Sequence, residues 1–122
     1  MIRPAIILII DDELGFVAWL GVTLAANGYA TLPATSLSAA KQLLEELSAI
    51  PDLVVMNVEL GGTMELIEAL RRANVALKVI AIEDTTPPAR PIEVDGMHSR
   101  SEADWLMTVE RVLDLRNASG AS

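Results

Sequence analysis

The sequence has 122 residues and a net charge of −8, and 52% of its residues are hydrophobic while only 3% are aromatic. This length suits one domain with a single aliphatic core, which favours α/β packing over a β-sandwich. The lack of cysteine excludes disulfides, thiolate catalysis and zinc-thiolate sites, and the lack of a basic cluster argues against nucleic-acid binding.

The first apolar run, residues 5–10, ends in the three carboxylates Asp11, Asp12 and Glu13. A continuous run of Ile and Leu is typical of a buried strand in a parallel sheet, whose carboxyl end would then carry the acids. The run is too short for a signal-peptide core or a membrane span. We therefore expect a cytoplasmic protein with no membrane association.

Residues 13–27 are predicted to form the first helix, with a stop signal at Asn27 and Gly28. Its main apolar stripe consists of Phe16, Leu20 and Leu24. Trp19 and Val22 lie off this stripe, so the helix is apolar on more than one face. Two interpretations stay open: a core helix with a broad stripe, or a helix that also contacts a partner.

Residues 29–33 form a short, weaker strand, which we place near an edge because Pro33 cannot donate to a strand ladder. A second amphipathic helix follows, capped by Thr35 or Ser36.

Residues 51–62 are the central strand of the prediction, an apolar run bounded by Pro51 and by Gly61 and Gly62. At the carboxyl end of the apolar run lies one polar residue, Asn57, where open α/β sheets place their functional groups. An amide there can coordinate and hydrogen-bond, but it is a far poorer nucleophile than a carboxylate.

The remaining elements are a helix at 63–73, a buried strand at 75–82, a weak strand near 93–97 and a last helix. Residues 83–94 contain three prolines, so we expect a proline-rich loop there instead of a helix. Ser101 and Asp104 resemble a capping box that begins the last helix. Residues 117–122 are predicted to be a flexible polar tail, leaving residues 5–116 as the core of one domain spanning 1–122.

This alternation of strands and helices predicts an α/β fold with a doubly wound parallel sheet of five strands. Asp11, Asp12 and Asn57 should meet at the carboxyl ends of two neighbouring strands. With the carbonyl of Glu59 they would offer a set of hard oxygen ligands suited to Mg²⁺. Alternatively, the acids only begin a helix, where negative charge favours the helix dipole.

Four segments resemble the response-regulator receiver domain, the CheY-like form of the flavodoxin-like fold, over residues 5–115. They are Ile-Ile-Asp-Asp-Glu at 9–13, the strand and loop at 51–62, Val-Ile-Ala-Ile at 79–82, and Asp-Gly-Met-His-Ser-Arg at 95–100. The resemblance implies a role in two-component signalling. In that family an aspartate ending the third strand accepts a phosphoryl group from a histidine kinase, next to Mg²⁺ held by the acid pair.

At the positions that the resemblance identifies, only Asp11 and Asp12 match the family. Asn57 stands at the phosphoacceptor position, Glu83 at the position of the switch Thr or Ser, and Arg100 at the position of the Lys. Asn57 cannot form an aspartyl phosphate, and Glu83 would repel a phosphoryl dianion. These departures imply an atypical pseudo-receiver that also lacks the fourth helix of the family.

We accordingly expect a stand-alone atypical response regulator that acts by phosphorylation-independent protein contacts and is not an enzyme. Its partners would be a sensor histidine kinase, another two-component protein, or a second copy in a homodimer. Two alternatives remain: a phosphotransfer receiver that uses Asp11 or Asp12 as a substitute acceptor, and a pseudo-receiver that senses a small ligand in the acid crevice.

Individual residues also have two interpretations. For Asp11 and Asp12 the two interpretations are weak Mg²⁺ binding and an ion pair with Arg100, of which we favour the ion pair. We therefore expect no cofactor. His98 is the only histidine, and we expect it on the surface or partly packed. Phe16, Trp19, Trp105 and Val109 are candidates for a dimer interface, with core packing as the alternative.

Overall fold

The computed structural model describes residues 3–82 and 94–121, with side chains described as far as residue 114 in the last helix. Strands and helices alternate over residues 3–82, and a further strand and helix lie within residues 94–121. In order they are β1 (Ile6–Ile10), α1 (Leu14–Ala25), β2 (Ala30–Ala34), α2 (Leu37–Leu47), β3 (Leu53–Asn57), α3 (Thr63–Ala73), β4 (Lys78–Ile82), β5 (Gly96–His98) and α4 (Trp105–Ala121).

The five strands form one parallel sheet in the order β2-β1-β3-β4-β5. This confirms the predicted doubly wound α/β fold, and it places β2 at an edge as Pro33 indicated. The chain winds outward in both directions from the pair β1 and β3. The carboxyl ends of these two strands therefore lie side by side at the crevice where the strand order reverses.

The alternation of side chains along each strand divides the core into two layers. On β1, Ile7 and Ile9 pack in one cluster with α1 and α4, while Leu8 and Ile10 pack in the other with α2 and α3. All four are fully buried. The sheet is thus covered on both faces, which is why its inner strands read as unbroken apolar runs.

Local hydrogen bonds determine where several elements begin. Ser36 is the cap of α2, since its Oγ accepts from the backbone N–H of Ala39 at 3.0 Å. The strand predicted from residue 75 begins only at Lys78. Asn74 Oδ1 accepts from the backbone N–H of Ala76 at 3.0 Å and holds residues 74–77 in a turn.

The last helix begins at Trp105, so Ser101 is not its cap. Ser99 and Glu102 instead form a turn before it, in which Glu102 Oε1 accepts from the backbone N–H of Ser99 at 3.2 Å. The helical backbone continues to Ala121, through the segment 117–121 that was predicted to be a tail.

Of the predicted proline-rich loop, only Val94 lies within the described residues. The expectation that this segment contains no fourth helix therefore concerns residues outside them, and so does Glu83. The weak strand expected near 93–97 corresponds to the short strand β5. Within the described residues, no helix is both long and apolar enough to cross a membrane.

Candidate functional site

The ends of β1 and β3 bring Asp11 and Asn57 together, as predicted from the strand positions. Ile10 pairs with Met56, and the next residues of the two strands are Asp11 and Asn57. Asn57 Nδ2 donates to Asp11 Oδ1 at 3.1 Å, and Asn57 Oδ1 accepts from the backbone N–H of Glu59 at 2.9 Å. The amide of Asn57 therefore links the two strand ends and uses both of its polar atoms.

Arg100 reaches the same point from the turn after β5. Its Nε donates to Asp11 Oδ2 at 2.6 Å and its Nη2 donates to Asp11 Oδ1 at 2.7 Å. Both oxygens of the carboxylate are thus engaged by the planar guanidinium, a bidentate geometry that lysine could not supply. Asp12 and Glu13 lie farther out, each with an oxygen 3.6 Å from a nitrogen of Arg100.

The carboxylate of Asp11 is fully buried, and its charge is compensated locally. Burial by itself raises the pKa of Asp11, but the hydrogen bonds from Arg100 and Asn57 and the positive charge of Arg100 favour the ionised form. Together these contacts hold the pKa of Asp11 below its ordinary value. The group is therefore an ionised carboxylate at neutral pH, paired with one cation.

This arrangement does not fit the Mg²⁺ site that the receiver resemblance implies. A magnesium ion needs free carboxylate oxygens, yet both oxygens of Asp11 accept hydrogen bonds. Asn57 presents its NH₂ group to Asp11, and its oxygen is bonded to the backbone of Glu59. The arginine guanidinium supplies the positive charge that a cation would bring.

The other predicted site residues lie around this centre. Arg100 pairs with Asp11 as the sequence predicted, while Asp12 and Glu59 are exposed at the rim of the crevice. Glu59 contributes through its backbone N–H. Glu83, the expected counterpart of the switch residue, lies outside the described residues.

Three of the four interface candidates are corrected by their burial. Trp105 and Val109 are fully buried, and Phe16 is nearly so, all in the core layer between the sheet and the helices α1 and α4. The rings of Phe16 and Trp105 pack in a tilted arrangement, with their centroids 5.3 Å apart. They fill the core, because their positions on α1 and α4 face the sheet. Trp19 alone among the four is exposed, at 45%.

An open cleft lies beside the Asp11 site, with a volume of about 470 Å³. Aromatic side chains form one wall of this cleft and the turn after β5 forms the other. The lining residues are Glu13, Phe16, Trp19, Arg100, Ser101, Glu102 and Ala103. The lining combines two aromatic side chains with the guanidinium of Arg100 and the carboxylates of Glu13 and Glu102.

His98 is a buried residue that the sequence did not reveal, contrary to the expected surface or partly packed position. Its ring is only 6% exposed, lies edge-on to Trp105 at 4.4 Å, and bonds through Nδ1 with Thr108 Oγ1 at 3.1 Å. The sequence offers one indication of the position of His98. Side chains alternate along a strand, so Gly96 and His98 lie on the same face of β5.

No protein-family model matches the sequence, and no curated protein does either. Solved structures of response-regulator receiver domains do match the fold. The N-terminal domain of a response regulator/sensory box/GGDEF three-domain protein from Carboxydothermus hydrogenoformans has a TM-score of 0.75 and 24% identity, covering 93% of this chain and 98% of that one.

Two further structures are similar over nearly their whole length. The signal receiver domain of an HD domain-containing protein from Pseudomonas fluorescens Pf-5 has a TM-score of 0.77 and 19% identity, covering 99% of this chain and 95% of that one. The chemotaxis response regulator CheY4 of Vibrio cholerae has a TM-score of 0.72 and 20% identity, covering 90% and 99%. The fold is therefore that of a receiver domain.

Proposed function

We propose that this protein is an atypical receiver that regulates two-component signalling through protein contacts and does not accept a phosphoryl group. The receiver fold supports the signalling context, since similar structures are described as response regulators. The bonded network of Asp11, Asn57 and Arg100 carries the second half of the proposal.

Asn57 supports the loss of phosphotransfer on chemical grounds. An acyl phosphate requires a carboxylate nucleophile, and an amide oxygen has too little nucleophilic character to replace it. Asn57 also acts as a structural link between Asp11 and the backbone of Glu59. The residue at the acceptor position thus holds the crevice together.

The bidentate pair of Arg100 and Asp11 adds a second obstacle. Phosphoryl transfer depends on a metal ion and positioned cations that neutralise charge developing on the phosphoryl oxygens. Here the buried acid and the cation satisfy each other at 2.6 and 2.7 Å. Moving Arg100 toward a phosphoryl group would leave the carboxylate of Asp11 buried without its cation, which is costly.

Helix α1 is the surface that we propose for partner contacts. The segment Leu14–Ala25 contains no charged residue. Its solvent-facing side presents Leu14, Trp19 and Val22, which are 69%, 45% and 71% exposed. A wholly uncharged exposed helix face is typical of an interaction site. A histidine kinase, another two-component protein or a second copy of the chain would cover it.

The test is incubation with acetyl phosphate and Mg²⁺, followed by intact mass measurement. We expect no phosphoryl adduct, with a receiver that retains its acceptor aspartate as the positive control. A stable adduct would overturn the proposal. An adduct that disappears in Asp12→Asn would favour the alternative in which an acid of the crevice is the acceptor, since Asp12 is exposed whereas Asp11 is fully buried.

The variant Asn57→Asp tests whether the loss of the acceptor aspartate alone prevents phosphorylation, or whether the other changes in the site also prevent it. We expect this variant to remain unphosphorylated, because Arg100 would still be paired with Asp11. Efficient phosphorylation of Asn57→Asp would show that only the acceptor was lost. A pull-down of candidate kinases with both forms then measures recognition independently of phosphorylation.

The cleft beside Arg100 favours small-ligand sensing as the second candidate function. Its volume of about 470 Å³ and its lining suit an organic cation with an apolar part, because the rings of Phe16 and Trp19 lie with the carboxylates of Glu13 and Glu102 while Arg100 is paired with Asp11. A thermal-shift screen with aromatic amines tests this candidate. A ligand that stabilises the protein, but does not stabilise Trp19→Ala, would support it over the contact-only function.

A further inference from the structure

A cluster of potential metal ligands lies where β5 leads into α4, separate from the Asp11 pair. His98, Glu102 and Asp104 each place one ligand atom so that all three atoms lie within 4.8 Å of one another. The two carboxylates are on exposed residues, whereas the His98 ring is only 6% exposed. The acids therefore face solvent above a buried imidazole.

The nitrogen His98 Nε2 is the observation that points to a ligand. It is buried and has no hydrogen-bond partner among the described residues. Asp104 Oδ1 lies 3.2 Å from it, but without the alignment of a hydrogen bond. Buried polar atoms without a partner are rare in native proteins. A cation shared by Nε2 and Oδ1 would satisfy both atoms.

The second ring nitrogen of His98, Nδ1, has a hydrogen-bond partner, as the second nitrogen of a metal-binding histidine usually does. Nδ1 lies 3.1 Å from Thr108 Oγ1, and Thr108 is itself buried in α4. When Nδ1 carries the proton and donates to this hydroxyl, the lone pair of Nε2 points to the carboxylates. A hydrogen bond of this kind fixes the tautomer and orientation of a metal ligand.

The carboxylate of Glu102 and the backbone of Asp104 are also held by hydrogen bonds before any ion binds. Glu102 Oε1 accepts from the backbone N–H of Ser99 at 3.2 Å. Asp104 directly precedes the first turn of α4, where its carbonyl accepts from the backbone N–H of Thr108 at 3.2 Å. The ligand set therefore lies on a hydrogen-bonded turn and at a helix terminus.

We propose that His98, Glu102 and Asp104 bind a divalent transition-metal ion of the Zn²⁺ class, with water completing its coordination. Ligands about 2.0–2.2 Å from a tetrahedral ion lie about 3.3–3.6 Å apart, close to the 3.2 Å between Nε2 and Oδ1. One imidazole with two carboxylates suits Zn²⁺ better than Mg²⁺, which prefers oxygen ligands alone.

Such an ion would affect the Asp11 site through the chain itself. Arg100 lies between His98 and Glu102 in the sequence, in the same turn that carries the ligands. Binding would restrict this turn and so hold the guanidinium of Arg100 on Asp11. The geometry of this cluster is independent of the acceptor position, so we expect Zn²⁺ to bind whether or not the protein accepts a phosphoryl group.

The test is titration of the untagged protein with ZnCl₂, followed by calorimetry and by NMR of the imidazole nitrogens. His98 is the only histidine, so its two ring signals are assigned without ambiguity. We expect one equivalent of Zn²⁺ to bind, with a large shift of Nε2 and a small shift of Nδ1. Mg²⁺ at the same concentration should leave both signals in place.

The variants Asp104→Asn and Glu102→Gln should each weaken Zn²⁺ binding at least about tenfold. Asparagine caps a helix about as well as aspartate, so Asp104→Asn should leave α4 intact. Glu110→Gln removes an exposed acid of α4 outside the cluster and is the matched control. An unshifted Nε2, equal affinity in Asp104→Asn and Glu110→Gln, or loss of binding in Asp12→Asn would overturn the proposal.

Discussion

Asp11 and Arg100 form the pair on which the crevice depends. Asp11 is fully buried, and Arg100 retains only 16% of its side-chain exposure. Removing one partner of a buried ion pair leaves a charge without compensation, which costs more than the pair contributes. The contribution of this pair is therefore best measured by removing its members singly and together.

We expect Arg100→Met to lower the free energy of unfolding by about 3 kcal/mol, because it leaves the Asp11 carboxylate buried without its cation. The double variant Asp11→Asn/Arg100→Met should recover most of this loss. Urea unfolding at pH 7 measures both values. Additive losses in the double variant would contradict the expected coupling between the two residues.

The pH dependence of stability follows from the lowered pKa of Asp11. A carboxyl whose pKa is lower in the folded than in the unfolded protein stabilises the fold fully above its unfolded pKa, for which 3.8 is the ordinary value. This contribution is lost as the pH falls through the lower, folded pKa. We expect Asp11→Asn to flatten the acid side of the stability profile below about pH 5. Urea unfolding between pH 7 and pH 3 checks this, and an unchanged slope would count against it.

At the scale of an element, the start of α3 depends on one glycine. Gly62 precedes the helix with a φ of +87°, a left-handed backbone conformation that residues with a side chain rarely adopt. A Cβ added there would also lie 3.1 Å from Leu37 Cδ1. The neighbouring Gly61 has open space around its Cβ position and no positive φ, so it offers a matched comparison.

We expect Gly62→Ala to destabilise the protein by about 1–2 kcal/mol, the cost of a left-handed conformation for a residue with a Cβ. Gly61→Ala should change the free energy of unfolding by much less. Thermal and urea unfolding of the two variants side by side provide the measurement. Equal effects would mean that the loop before α3 does not require the positive φ.

For the whole molecule, the exposed face of α1 predicts self-association. Leu14, Trp19 and Val22 are apolar and solvent-facing, and they are accompanied by no charge within the helix. A second copy would bury the same face by two-fold symmetry. We expect light scattering to detect a homodimer at tens of micromolar protein.

Val22→Lys should shift this dimer to monomer without loss of folding, because Val22 is 71% exposed and contributes little to the core. Val75→Lys is the control, since Val75 is 92% exposed but lies in the turn before β4. A wild-type monomer at this concentration, or equal dissociation by both variants, would contradict a dimer through α1.

The sheet, and with it the position of Asp11 and Asn57, can be predicted from the sequence. Apolar runs of Ile, Leu and Val identify the inner strands because such runs must be buried on both faces of a parallel sheet. Residues at the carboxyl ends of neighbouring strands then meet at one edge. These inferences depend on local periodicity and on strand ends, both of which are visible in the chain.

Which side chains are buried, and which pairs form between distant segments, depends on the tertiary structure. Trp19 and Trp105 both lie on helices, yet Trp19 is exposed and Trp105 fills the core, because the sheet covers one face of each helix. Arg100 and Asp11 are 89 residues apart in the sequence. Their pairing was predicted, but the bidentate hydrogen bonding of Arg100 to the Asp11 carboxylate was not. The burial of His98 likewise results from the packing of α4 on β5.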